Sequence, residues 1–389
     1  MLKLKNIVSI AILILVISSC NQSKSKKDVV FDALFEGARL DSVIPLDNNS
    51  FLLKINPAFE PVNDSPYYAF SLTSETAQTI EVLLDYGAYK HRYIPKLSYD
   101  KHVWKKISKN NIRFDTVNNK TVLKLDVSSK KLYVSAQEIE TSQDTYRWVD
   151  SIINDKPEIK KSIAGTTVLK HSNYVMQYET PEVKKAIVLI ARQHPPEIPG
   201  GSIGFKAFYE ELVASNEIAH RFRQHYNIYA FPLLNPDGAD LGNWRHNANG
   251  VDLNRDWVEF EQPETQMVKT FLVNKYNNGN SIEFAIDFHT SYSGPYLLVL
   301  DSINNVKSKG IIDKWIENIE TNSSFKVEAR PRSQELPYCY NYFYNTYGCE
   351  AVTYEEGDEI DRDIIKQRAR LYAQQFMETM ILKIKINEI

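Results

Sequence analysis

At 389 residues, with 43% hydrophobic content and only 14 Gly and 16 Pro, the chain is long enough for two packed domains and too apolar to be disordered by composition. Its net charge of -3 comes from 46 basic and 49 acidic residues with no long single-sign block, which excludes an electrostatic case for nucleic acid as a partner.

Residues 1–20 read as an export signal and not as part of the fold. Lys3 and Lys5 precede an apolar run over 7–17 that is too short, with those flanks, to span a bilayer. The run ends in Ile17-Ser18-Ser19-Cys20, which resembles the lipobox of bacterial lipoproteins. That resemblance implies cleavage before Cys20, a lipid on its thiol, a polar tether over 21–28 and a place in the bacterial cell envelope, periplasmic or surface. The alternative is an ordinary signal peptide cut after a small residue. Cys339 and Cys349 then lie in a compartment that permits disulfides, and are either a short bridge or two buried thiols.

From residue 29 to 136 short runs of strand periodicity, such as 79–84 and 121–127, are separated by turns at Asp64-Ser65-Pro66 and Asn118-Asn119. The pattern predicts an all-β, antiparallel sandwich domain. The texture changes over 137–389. Residues 186–191 form a continuous apolar run of the kind a strand buried on both faces requires, and 205–220 follows with helical spacing. Further buried strands are expected over 228–234, 284–288 and 351–354. A last helix over 361–383 offers Ile364, Ala369, Leu371, Ala373, Phe376 and Met380 to the sheet. Strands alternating with helices predict an α/β catalytic domain with a mixed central sheet flanked by helices.

Four elements in this second half carry chemistry. His194-Pro195-Pro196-Glu197 follows directly on the buried strand, and a His and a Glu three residues apart in a tight turn can aim at one metal. A turn-rich stretch runs from Asn235-Pro236-Asp237-Gly238 through Asn243-Trp244-Arg245-His246 to Gly250-Val251-Asp252-Leu253-Asn254-Arg255, and brings two Arg to one region. Ile286-Asp287-Phe288-His289-Thr290 ends another strand in a His, and Val352-Thr353-Tyr354-Glu355-Glu356 ends a third in carboxylates.

In identity, order and approximate spacing these elements resemble the zinc carboxypeptidase family over about residues 155–389. The resemblance implies that His194, Glu197 and His289 ligate one Zn²⁺, with water in the fourth position, and that Glu355 is the general base. It places Arg245 at the oxyanion, and Asn254 with Arg255 on the terminal carboxylate of a peptide or protein substrate. His246 has no role in the pattern. Glu356 competes with Glu355, which matches the family's Thr-aromatic-Glu ending. Many members carry a mobile Tyr about twenty residues before that Glu, whereas 328–337 holds no Tyr. Tyr338, Tyr340, Tyr342 and Tyr344 alternate like one face of a strand, so no substrate-covering Tyr is assigned.

In the first half, Asp64-Ser65-Pro66-Tyr67-Tyr68-Ala69-Phe70 and His91-Arg92-Tyr93-Ile94-Pro95-Lys96-Leu97-Ser98-Tyr99-Asp100 resemble the sandwich that precedes the catalytic domain in the cytosolic-carboxypeptidase-like branch. That branch implies a preference for acidic C-terminal residues, for which Arg330 or Arg332 would supply charge unless both lie on the surface. The function expected is zinc-dependent hydrolysis of the C-terminal peptide bond by a metal-activated water and a Glu base. The rivals are a zinc amidase or deacylase of the aspartoacylase type and an inactive envelope binding protein. The first usually opens its ligand turn with His-Gly-Asn/Asp-Glu, and the second is opposed by the presence of every ligand and base candidate.

Overall fold

The computed structural model describes residues 29–387 apart from 48, 116, 304, 305, 307 and 308. The expected signal, tether and lipidation site Cys20 lie outside the described residues.

The first hundred or so described residues form two five-stranded sheets. In spatial order one contains Val29–Asp32, Ala69–Ser74, Leu132–Ser135, Lys96–Ser98 and Lys105–Lys106, and the other Ser42–Pro45, Ser50–Lys54, Gln78–Asp85, Lys120–Val127 and Ile112–Asp115. Period-two alternation turns Ile80, Val82, Leu84, Leu123 and Leu125 inward against Phe70, Leu72 and Val134 of the facing sheet, giving one shared core. The expectation of a wholly antiparallel sandwich needs one correction. Ser50–Lys54 and Gln78–Asp85 pair in parallel, with Leu52 opposite Leu83. Between them the chain crosses to the other sheet to lay down Ala69–Ser74, and the return trip restores its direction.

The rest of the chain is built on an eight-stranded mixed sheet in the order Ile159–Thr166, Ser172–Tyr178, Asn227–Phe231, Lys185–Ala191, Ser281–Ser291, Glu350–Gly357, Tyr296–Leu300 and Ala329–Arg332. The four central strands, from Asn227–Phe231 to Glu350–Gly357, are parallel, and antiparallel pairings flank them on both sides. Helices Phe205–Leu212, Glu217–Arg223, Ile311–Asn322 and Arg362–Asn387 bury one face through Phe208, Phe222, Trp315 and Phe376. Pro263–Asn277 and Cys339–Tyr347 cover the other through Val268, Leu272 and Phe343. Covered on both faces, the central strands are apolar nearly throughout, which is why 186–191 carries no alternation.

Three expected elements differ in detail. The helix over 205–220 is two helices, because Asn216 caps the second by accepting from the Ala219 amide at 2.9 Å. Of the alternating tyrosines, Tyr340, Tyr342 and Tyr344 lie buried on a helix, Cys339–Tyr347, not on a strand; Tyr338 is the extended residue before it and Gly348, at φ +64°, ends it. In the last helix Ile364 faces solvent and Ile365 takes the core position. Cys339 and Cys349 are both buried thiols. Among the described residues no helix is long and apolar enough to cross a membrane.

This topology brings the C-terminal ends of three adjacent parallel strands together. Ala191 pairs with Phe288, and His289 pairs with Glu355. The loop after Lys185–Ala191 passes through a π-helical turn, Pro199–Gly204, whose Gly200 lies against the sheet: a Cβ there would stand 1.7 Å from the His289 carbonyl oxygen. Only glycine permits that approach, and the Gly200 amide uses it to donate to Thr290 Oγ1 at 2.8 Å.

Candidate active site

The strand Lys185–Ala191 ends in Arg192, which turns the chain through φ +55°, a left-handed conformation that costs a non-glycine residue on the order of 1–3 kcal/mol. The buried Arg192 side chain is held by Glu140, donating to its carbonyl at 3.1 Å and standing 3.5 Å from its carboxylate. From that turn His194 and Glu197 enter the interior and meet His289 from the neighbouring strand. One ligand atom from each of His194, Glu197 and His289 lies within 4.8 Å of the others. His194 Nδ1 is 2.8 Å from Glu197 Oε1, His289 Nδ1 is 2.8 Å from Glu197 Oε2, and the two Nδ1 atoms are 3.1 Å apart.

The far side of each imidazole fixes what the near side offers. His194 Nε2 is 2.9 Å from Asp252 Oδ1, and His289 Nε2 is 2.8 Å from Asp287 Oδ2. A carboxylate only accepts, so each Nε2 donates outward, and a bound cation would meet both Nδ1 lone pairs on the side facing Glu197. Two lone pairs and a carboxylate converge on one point, an arrangement that calls for positive charge at its centre. Without a cation that positive charge is a proton: although burial opposes it, Asp287 and Glu197 push the His289 imidazole well above its ordinary pKa. Burial likewise opposes the charge on Glu197, yet His194 and His289 hold its carboxyl well below the usual range. Two imidazoles and one carboxylate with an open fourth position is the donor set of catalytic zinc, so these residues fit that ion.

The other residues expected at the site line one cavity of about 310 Å³ together with the three ligands: Glu355, Arg245, Asn254 and Arg255. Glu355 Oε2 is inaccessible and has no hydrogen-bond partner among the described residues, and desolvation pushes this carboxyl up to about 8, partly offset by His289. The pleat sends Glu356 to the opposite face, where Tyr354 Oη and Arg368 donate to it. Arg245 is anchored by Nε donating to Asp252 Oδ2 at 2.6 Å, so Asp252 orients both an imidazole and a guanidinium. Asn254 is buried, its Oδ1 accepting from the Cys339 amide at 2.9 Å. Arg255 stacks over the Tyr338 ring at 4.4 Å, with Asp252 Oδ2 3.9 Å from its Nη1, beyond hydrogen-bond range. His246 lies outside this cavity's lining and packs edge-on against Phe59.

Several residues at the site have no counterpart in the sequence argument. Asp252 and Asp287 stand within quoted strings but were assigned no role. The Asp287-Phe288-His289 spacing held the signal, since residues two apart on a strand share a face. Gln193 bridges Asp287, at 2.7 Å, to Trp257 Nε1, at 2.8 Å, and nothing in the sequence marks it. Arg92 and Asn63 reach the cavity from the N-terminal sheets, and Arg332, Tyr296, Leu298 and Tyr338 line its other side. Arg330, by contrast, stacks on Tyr296 at 3.6 Å and pairs with exposed Glu328 outside the lining.

Fold and site together describe an α/β protein whose sheet carries, at its C-terminal edge, a cluster of three residues able to hold one metal ion and a neighbouring carboxylate, Glu355. The chain belongs to the zinc carboxypeptidase family, whose model matches residues 145–378, more than half of its length. Among curated proteins it is similar to cytosolic carboxypeptidase 6 of Mus musculus, 37% identical over 110 residues that make up 27% of this chain and 20% of that protein. It is also similar to cytosolic carboxypeptidase 3 of Mus musculus, 22% identical over 316 residues, 73% of this chain and 31% of that protein. The matches thus span a third or less of those relatives' own lengths. Among solved structures, a metallo-carboxypeptidase from Burkholderia cenocepacia shares the fold with a TM-score of 0.74 at 19% identity, over 92% of this chain and 99% of that one.

Asp287 supplies a direct check on this geometry. Replacing it with Ala removes the acceptor that orients His289, and the expected outcome is zinc affinity lowered about 10- to 100-fold in competition with a chromophoric chelator. Unchanged affinity would show that the His289 ring is fixed by other means.

Proposed function

We propose that the chain is an exopeptidase that hydrolyses the C-terminal peptide bond of peptides or proteins, with a preference for an acidic terminal residue. The observation that carries this reading is the charge inventory of the cavity. Of its four guanidinium groups, Arg245 is committed to Asp252 and Arg92 to Asp358. Arg255 has no carboxylate within hydrogen-bond range, and Arg332 has no ion pair among the described residues, bonding only to the Pro331 carbonyl. Arg255, which stands 3.9 Å from the Asp252 it shares with Arg245, and the exposed Arg332 at the rim thus keep donors for a ligand with two carboxylates, such as the main-chain and side-chain carboxylates of a terminal Glu or Asp.

Bound zinc would polarise the scissile carbonyl and make its water acidic near neutral pH. The chain's own residues do the rest. Glu355, half-buried and with an Oε2 that has no hydrogen-bond partner among the described residues, takes a proton on its carboxylate and returns it to the departing amine. Arg245, immobilised through Nε, keeps its remaining donors for the oxygen on which negative charge develops. Arg255 with Asn254 holds the terminal carboxylate, and that grip confines cleavage to chain ends.

Release of free amino acids from peptides differing only in their last residue tests this. Peptides ending in Glu or Asp are expected to be hydrolysed at least tenfold faster, as kcat/KM, than those ending in Leu or Lys. Glu355→Gln is expected to lose on the order of 10²–10⁴ in kcat with zinc retained. Arg332→Ala is expected to remove most of the acidic preference while leaving the Leu-ended peptide within about threefold. No release from any free C-terminus at full zinc occupancy, with hydrolysis of N-acyl amino acids instead, would transfer the assignment to a zinc amidase.

The same reading places the protein at a bacterial cell envelope, anchored through Cys20, on the strength of the apolar run over 7–17 and the Ser18-Ser19-Cys20 ending. Expressed with its leader, the chain is expected to incorporate labelled fatty acid and to sediment with membranes. Cys20→Ser is expected to abolish both, and labelling that survives this substitution would refute the anchor.

A further inference from the structure

Arg92 belongs to the His91-Arg92-Tyr93 string of the N-terminal half, yet its guanidinium lines the cavity that holds the ligand cluster and Glu355. Its donors run to the catalytic half in a specific way. Nε and Nη2 grip Asp358 at 2.7 and 3.0 Å as a bidentate pair, and Nη2 also reaches the Thr290 carbonyl at 3.4 Å. The pair is buried, with side-chain exposures of 11% and 3%.

Both targets are coupled to the reacting groups. Thr290 follows His289 and donates its amide to Glu197 Oε2 at 3.0 Å, so one residue touches Arg92 through its carbonyl and a metal-ligand candidate through its N–H. Asp358 lies three residues beyond Glu355 and donates its amide to the Ser291 carbonyl at 3.2 Å. The two strands are neighbours in register, His289 opposite Glu355 and Thr290 opposite Glu356, and Arg92 spans their ends from outside the sheet.

We propose that Arg92 is a positioning residue for catalysis: it clamps the ends of the strands that carry His289 and Glu355, and makes the N-terminal sandwich a working part of the active site. The inference rests on the exopeptidase reading for its kinetic readout alone. Lysine cannot replace the fork, because a point charge makes no bidentate pair with Asp358. A base displaced by about an ångström is enough to cost on the order of a hundredfold in rate.

The test compares Arg92→Lys, Arg92→Ala and Lys106→Ala in the zinc-loaded protein. Lys106 is the control, since it also ties the N-terminal half to this segment, donating to the Glu359 carbonyl at 2.6 Å, but lies outside the cavity lining. Arg92→Lys is expected to lower kcat at least tenfold with KM within threefold, and to weaken zinc binding at least threefold in chelator competition. Added guanidinium ion is expected to restore kcat of Arg92→Ala at least threefold, and Lys106→Ala to stay within twofold of the parent in both readouts. Should Arg92→Ala fail to fold, Arg92→Lys decides. Parent-like kcat and zinc affinity in folded Arg92→Lys would overturn the proposal. So would an equal loss in Lys106→Ala, or a rise in KM with kcat intact. If the parent protein releases no amino acid, the exopeptidase reading fails on its own and the zinc-affinity arm still decides the role of Arg92.

Discussion

Two imidazole rings whose outer nitrogens are already committed to carboxylates form the constraint on which the rest of the site depends. Asp252 and Asp287 fix the tautomer of His194 and His289, and thereby leave both Nδ1 lone pairs facing Glu197 in a nearly solvent-free pocket. Such a cluster is costly to bury, because its polar groups lose solvation, and it draws positive charge to its centre. The scaffold must therefore hold it against its own repulsion. It does so with the ends of parallel strands, buried on both faces and hydrogen-bonded through their length, where displacing one side chain means displacing the sheet.

Buried and partly buried ion pairs brace the second half of the chain and, through Lys96, tie the sandwich to it. Arg192, in its left-handed turn before His194, is locked by Glu140, which also accepts from Ser202 Oγ and Lys206 Nζ, at 2.6 and 2.9 Å. Lys96 of the sandwich meets Glu359 at 2.7 Å, and Arg362 forks onto Glu138 at 2.8 and 2.9 Å. Buried ion pairs add little net stability, but losing one partner strands the other, so they enforce geometry more than they contribute energy. Here they determine how the sandwich sits beside the strand that carries Glu355.

Legibility from the sequence followed the range of the interactions. His194, Glu197, His289 and Glu355 stand at the ends of apolar runs, and a strand buried on both faces announces itself locally, so both the sheet and the ligand candidates were readable. The choice between Glu355 and Glu356 was also local in origin, since the pleat separates them and Arg368 claims the second. What escaped was non-local. Gln193 matters because Asp287 and Trp257 fold onto it, and Arg92 because a sandwich 266 residues away in sequence docks on Asp358. The tyrosines of Cys339–Tyr347 misled through their alternation, because a helix buried nearly all round shows little periodicity of its own.

The central claim is that zinc is held by two imidazole nitrogens and one carboxylate, and by no thiolate, even though Cys339 lies buried beside Asp287. X-ray absorption at the zinc edge of the purified, metal-loaded protein tests that most directly. The account predicts a first shell of nitrogen and oxygen only, at about 2.0–2.2 Å, with imidazole scattering from two rings that falls to one in His289→Ala. A sulfur shell near about 2.3 Å, or a spectrum unchanged by His289→Ala, would contradict it.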